Sequence, residues 1–205
     1  MSRLKKYWLI FNLVLFTTSI YAQKSTSNSL QSQPIYTSLQ EALKNPTEVY
    51  RLKLKLSRKY DSIPEDLFLL TNLQELRLTG CHLKVVNQKI GELQNLRFLY
   101  LNRNHLVRLP ESLSQLTNLI WLDISRNPLI ELPANIGNMT SLEVIDAWDT
   151  QIFILPESIS KLANTLKTID LRQVPLTDSE HSTMQRQLPT TSIPYSHYCD
   201  CNSDR

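Results

Sequence analysis

Leu96–Asn118 reads LRFLYLNRNHLVRLPESLSQLTN, and the stretch that follows, Leu119–Ser141, reads LIWLDISRNPLIELPANIGNMTS. Counted from the first Leu, apolar residues fall at positions 1, 4, 6, 11, 14, 18 and 21 in both. In the earlier stretch these are Leu96, Leu99, Leu101, Leu106, Leu109, Leu113 and Leu116. Units of the same kind open at Val49, Leu73, Leu96, Leu119, Leu142 and Leu166, a period of 23 to 24 residues. A fixed period of that size means a stack of near-identical units, each unable to bury its apolar face alone.

Each position has a physical reading. The alternation over positions 4 to 6 predicts a short strand with its Leu side chains inward. Position 9 is Asn104 and Asn127 in the two central units, where the chain must turn and an amide can satisfy stranded backbone groups. Position 15 is Pro64, Pro110, Pro133 and Pro156, suited to the first residue of a helical turn, which needs no N–H. Glu65, Glu111 and Glu157 follow it, at the positive end of that turn. The outer units depart from the pattern: Cys81, Thr150 and Val174 replace the Asn, Asn87 replaces one Pro, and there is an insertion near Ala163. The outer coils are therefore expected to be less regular than the middle pair.

On these anchors, 49–176 resembles the leucine-rich repeat family in its form LxxLxLxxNxLxxLPxxIxxLxN. The resemblance implies an α/β fold: a right-handed solenoid of about six repeats, with a curved parallel sheet on the concave face. Short helical or 3-10 turns would form the convex face and helical caps the ends. It also implies a non-catalytic surface on which another molecule sits.

The remaining chain divides around the repeats. Arg3, Lys5 and Lys6, then apolar Tyr7–Phe16, then Ile20-Tyr21-Ala22 read as a signal peptide over 1–22, cleaved after Ala22. An uncleaved anchor is the rival and would be the chain's one attachment to a membrane. The expected location is secreted, periplasmic or cell envelope. Residues 23–34 are rich in Ser, Gln and Asn and read as a flexible leader. An N-terminal helical cap is expected over 35–48, its helix spanning Tyr36 to Lys44 with Leu39, Ala42 and Leu43 on one face. Thr177-Asp-Ser-Glu180 matches a capping box and predicts a C-terminal capping helix over 177–188, then an irregular tail over 189–205.

Composition excludes several function classes. The chain holds 22 basic and 19 acidic residues, and losing 1–22 removes three basic ones and no acid, which leaves the two equal. The basic excess belongs to the signal segment and gives no reason to expect nucleic acid. Cys81, Cys199 and Cys201 are an odd set: Cys81 reads as a buried structural thiol, and the pairing of the tail cysteines stays open. His82 and His105 share position 10 in adjacent units, but two ligands are too few for a metal site. With three glycines, no phosphate loop and no nucleophile–base pair, neither enzyme activity, metal nor cofactor is expected.

Function must then lie on the outward strand positions 3, 5 and 7. Column 3 reads Arg51, Glu75, Phe98, Trp121, Val144, Thr168, and column 5 reads Lys53, Arg77, Tyr100, Asp123, Asp146, Asp170. Column 7 includes Trp148 and Arg172, and position 8 adds Arg103, Arg126 and Asp149. The candidate binding residues are Phe98, Tyr100, Trp121, Asp123, Asp146, Trp148, Arg103 and Arg126. Exposed aromatic clusters mark interfaces, although ladder aromatics also stabilise a sheet by packing on one another. Charge is segregated, with Arg51, Lys53, Lys55, Arg58 and Lys59 in the first coil and Asp residues later. Binding of a protein partner by a monomer is expected, with a glycan or cell-surface ligand as the alternative on the same strip.

Overall fold

In a computed structural model of the chain, residues 30–56 and 61–197 are described. The segment read as a signal peptide, most of the expected leader, Arg58, Lys59, Cys199 and Cys201 lie outside the described residues. Residues 30–34 fall in a unit of their own with a helical turn at Leu30, and the repeat stack belongs to the unit that begins at Ile35.

The stack is one all-parallel sheet of eight strands in sequence order. They are β1 (Ile35–Tyr36), β2 (Arg51–Lys53), β3 (Glu75–Arg77), β4 (Phe98–Tyr100), β5 (Trp121–Asp123), β6 (Val144–Asp146), β7 (Thr168–Leu176) and β8 (Tyr195–His197). From β2 to β7, like positions pair: Arg51 with Glu75, Phe98 with Trp121, Trp121 with Val144, Val144 with Thr168. Every coil thus advances the chain by one strand spacing, and each repeat position becomes a column. The inward leucines meet those of the coils above and below: Leu96, Leu99, Leu101, Leu106, Leu113 and Leu116 are fully buried, and Leu109 nearly so. This matches the α/β solenoid expected.

Asn104 ties its coil to the one before. Its Oδ1 accepts from Cys81 N (2.9 Å) and Leu83 N (3.1 Å), and its Nδ2 donates to Leu78 O (2.8 Å) and Leu101 O (2.7 Å). Asn127 repeats this one coil on, accepting from Leu106 N (3.1 Å) and donating to Leu101 O (3.0 Å) and Ile124 O (2.9 Å). These bonds replace the backbone partners that a tight turn removes from a buried site. Cys81 holds the same place in its coil: buried, with Sγ 3.3 Å from Leu54 O, and with a thiol pKa raised by that burial. A second asparagine ladder runs along the end of each unit, where Asn72, Asn95 and Asn118 donate to the carbonyls of Thr47, Thr71 and Gln94 in the previous coil.

Position 8 has a conformation that its residue types do not announce. Gly80, Arg103, Arg126, Asp149 and Gln173 all lie there, with φ between 53° and 65°. The turns out of β3 to β6 and the register shift within β7 therefore take a left-handed residue, and of these five coils only the second supplies the glycine that adopts it without strain.

On the opposite wall are 3-10 turns, among them Glu65–Leu69, Gln88–Glu92, Glu111–Gln115 and Glu157–Leu162. The prolines lie one residue earlier than expected. Pro64, Pro110 and Pro156 are extended N-caps, with ψ of 136°, 147° and 149°, and their carbonyls accept the first bond of the turn. Glu111 reaches past its own turn to accept from Ala134 N (2.8 Å) and Asn135 N (3.3 Å) of the next coil.

Both ends depart from expectation in one way. The first helix is a single turn, α1 (Leu39–Ala42), capped by Ser38, because Ile35–Tyr36 extends instead and pairs with β2. At the other end the capping box holds: Thr177 Oγ1 accepts from Glu180 N (3.2 Å), Glu180 accepts from Thr177 N (2.7 Å), and α2 runs Asp178–Gln187. The tail expected to be irregular adds β8, which pairs with β7 across a bulge. An open parallel edge leaves a row of unpaired backbone groups, and β1 and β8 pair with the outermost repeat strands.

Two substitutions test this frame by chemical denaturation. Asn104→Ala strands several buried backbone groups at once and is expected to cost about 3–5 kcal/mol; a loss under about 1 kcal/mol would refute the bridging role. Arg103→Gly relieves a left-handed residue and is expected to stabilise by about 0.5–1 kcal/mol.

Candidate functional site

In-register pairing brings the predicted strip together on the outer face of the sheet. Phe98, Trp121 and Val144 are neighbours along one column, and Tyr100, Asp123 and Asp146 along the next. Phe98, Tyr100, Trp121 and Trp148 are all half-buried rather than fully exposed. Flanking arginines account for part of this. The Arg77 guanidinium lies 4.4 Å from the Tyr100 ring centroid, Arg126 lies 4.2 Å from Trp148, and Arg97 lies 5.7 Å from Phe98. Burial also pushes the Tyr100 hydroxyl pKa up. Trp121 differs: its indole N–H is buried and has no hydrogen-bond partner among the described residues.

The charges of the strip are less free than the columns suggest. Glu75 is only 5% exposed and accepts from Arg51 Nε at 2.7 Å and from Arg77 Nε. Burial pushes its carboxyl up, but the two guanidiniums outweigh that and hold it below the usual range. Two members of the basic end are thereby committed to an internal clamp. At the far end Arg172 forks onto Asp170, with its Nη2 2.7 Å from Oδ2, and holds that carboxyl low against burial.

Asp123 and Asp146 lie between these pairs. Asp123 is 9% exposed, not the open ladder residue expected, because Ser125 donates to it from both N (3.1 Å) and Oγ (2.7 Å). Asp146 is half-buried and accepts from Trp148 N at 3.2 Å. Neither makes an ion pair among the described residues. Burial raises both carboxyls above the usual range, and each gains further from a neighbouring Asp. The centre of the strip is thus an aromatic surface around two carboxylates without a cation of their own.

Arg103 and Arg126 are exposed at the left-handed turn beside the strip. Arg126 and Asp149 line a hollow of about 260 Å³ there. His82 Nδ1 and His105 Nε2 do approach, at 3.5 Å, but no group of three metal-capable side chains occurs among the described residues. The Glu75 clamp was missed at the sequence level, since column 3 showed it as a lone acid. Also missed was an apolar flank: Val85, Val107, Phe153 and Ile154 are each exposed by 47–65%. Its signal was the uninterrupted run Ile152–Leu155, where the repeat needs apolar residues only at its two ends.

A family described as a leucine-rich repeat region matches residues 48–164. Among solved structures, a leucine-rich repeat protein of Leptospira interrogans is similar at 26% identity and a TM-score of 0.59, over 80% of this chain and 54% of that one. Internalin C2 of Listeria monocytogenes is similar at 23% identity and a TM-score of 0.62, over 75% of this chain and 64% of that one. The chain thus spans about half the length of the first and under two thirds of the second. No curated protein matches the chain.

The raised carboxyl of Asp146 gives a pH test. Below the ordinary carboxylate value, near pH 4, folded and unfolded states are both protonated and the residue costs nothing. Above the raised folded value, ionisation in a half-buried place costs the fold in full. Asp146→Asn, which keeps an acceptor for Trp148 N, is expected to raise the melting temperature at about pH 7 and leave it unchanged at about pH 3. An equal gain at both pH values would remove ionisation as the cause.

Proposed function

The chain belongs to the leucine-rich repeat family, and from that premise we propose that it is a non-catalytic module that binds a protein partner across the concave face of its sheet. The observation that carries this reading is the central strip. Phe98 and Trp121 are neighbours along one column, Tyr100 and Trp148 stand in the next columns of the same face, and arginines lie over Phe98, Tyr100 and Trp148. Preset aromatic side chains lose little entropy on binding and dominate interface energetics. Asp123 and Asp146 supply a charge that a Lys or Arg of the partner would neutralise, while Glu75 and Asp170 are already matched.

Scale adds a constraint. Six strands about 4.8 Å apart make a strip about 29 Å long, and at a few side chains wide its area falls short of the roughly 800 Å² per partner that a standard interface buries. A partner must also touch the rims, where Arg103 and Arg126 stand. We read the module as a monomer exported to the envelope or beyond, on the pattern of 1–22. Among the described residues, no helix is long and apolar enough to cross a membrane.

The half-buried rings of the strip, the half-buried Asp146 carboxyl and the exposed Arg126 guanidinium favour one second reading. An aromatic face with a donor and a carboxylate can also stack and hydrogen-bond a sugar. A glycan array separates the two.

The combined variant Tyr100→Ala, Trp121→Ala tests the site. Crosslinking capture from the native envelope is expected to lose its partner band, with the melting temperature lowered but the fold intact. Unaltered capture by the folded variant would rule out binding on the sheet face.

A further inference from the structure

Positions 12 and 13 of each unit lie between core residues at 11 and 14, so their side chains must point outward. In the fifth coil Ile152 and Leu155 are buried, while Phe153 and Ile154 between them are 47% and 65% exposed. Position 12 of the preceding coils is Ile130, half-buried, and Val107, 47% exposed. Three consecutive coils thus stack an apolar residue on the same flank, away from the sheet face. An isolated exposed apolar side chain is ordinary, but a contiguous ladder of them marks a contact surface.

This flank has relief. Phe153 and Ile154 form the wall shared by two hollows. One, of about 470 Å³, has Ile130 and Leu132 on its apolar side; the other, of about 330 Å³, opens toward Met184 of α2. Volumes of this size take a large side chain. The rims carry one sign of charge. Glu111 and Glu131 border the first hollow, Glu157 and Glu180 the second, and no Lys or Arg lines either. Arg108, close by, pairs with Glu131 at 2.6 Å, which leaves Glu111, Glu157 and Glu180 as the rim acids without an ion pair among the described residues. The pattern across the flank is acid, apolar, acid. Two copies of such a face would set like charges against each other, which disfavours self-association.

We propose that the flank built by Phe153 and Ile154 is a second docking surface, separate from the sheet face, and that it takes a polypeptide segment with an apolar centre and basic ends. The apolar side chains enter the two hollows on either side of Phe153, and the basic ends meet the glutamates, chiefly Glu157, for which no ion pair occurs among the described residues. Charge complementarity chooses the orientation and the partner, and the apolar wall supplies the affinity.

The test uses two fluorescein-labelled peptides, KKLFLKK and EELFLEE, in polarisation titrations against the folded chain. KKLFLKK is expected to bind at least tenfold tighter than EELFLEE. The pair Phe153→Ser, Ile154→Ser should weaken it at least tenfold, with no loss of melting temperature, since both side chains are exposed. Glu157→Lys, which leaves the apolar wall intact, should weaken it several-fold, and Tyr100→Ala, Trp121→Ala should leave it unchanged. The proposal is overturned if neither peptide binds, if both bind alike, or if the Phe153 and Ile154 changes have no effect. It is equally overturned if the Tyr100 and Trp121 changes abolish binding, which would place the peptide on the sheet face. Sedimentation showing Phe153-dependent dimers would make the occupant a second copy and also refute it.

Discussion

No coil of this protein can bury its own leucines. A unit of 23 residues has one apolar wall on the strand side and one on the turn side, and both are completed only by the coils above and below. From that dependence the rest follows. Neighbouring coils must lie in register, because a slip of one residue would turn inward side chains out. Register in turn fixes the columns. Turns must be tight, which the left-handed residue at position 8 and, in the two central coils, the bridging amide at position 9 provide. The two ends must also be closed, since each presents half a core and an open edge.

The sequence showed the parts of this that are local and periodic. Leucine positions, the Asn104 and Asn127 bridges and the Cys81 substitution recur at a fixed place in the unit, and the Thr177–Glu180 capping box lies within one turn. What stayed hidden depends on a distant partner. β1 and β8 form because β2 and β7 have unpaired edges, which neither Ile35–Tyr36 nor Tyr195–His197 announces. The position-8 conformation carried no glycine signal in four of its five coils, where Arg, Asp and Gln bear the strain instead. Proline marked the convex turn but not its place in it, as the first residue and the N-cap tolerate the same ring.

The candidate strip was legible as a set of columns and not as an electrostatic surface. Column reading lists charges; it does not say which are already matched. Glu75 turns two outward arginines into an internal clamp, and Arg172 does the same for Asp170. What remains unmatched is the pair Asp123 and Asp146, set among the aromatics. Burial of Asp123 by Ser125 was likewise invisible, because position 7 is an outward place in every unit.

In-register stacking also makes this surface editable in units. Removing or duplicating one whole coil would move each column residue by one step, leaving its direction, its neighbours within the coil and its core contacts of the same kind. Substitutions within a column change what the face recognises without touching what holds it up. A lineage of such chains can therefore vary its recognition along two separate axes, coil number and column identity, while the packing stays constant.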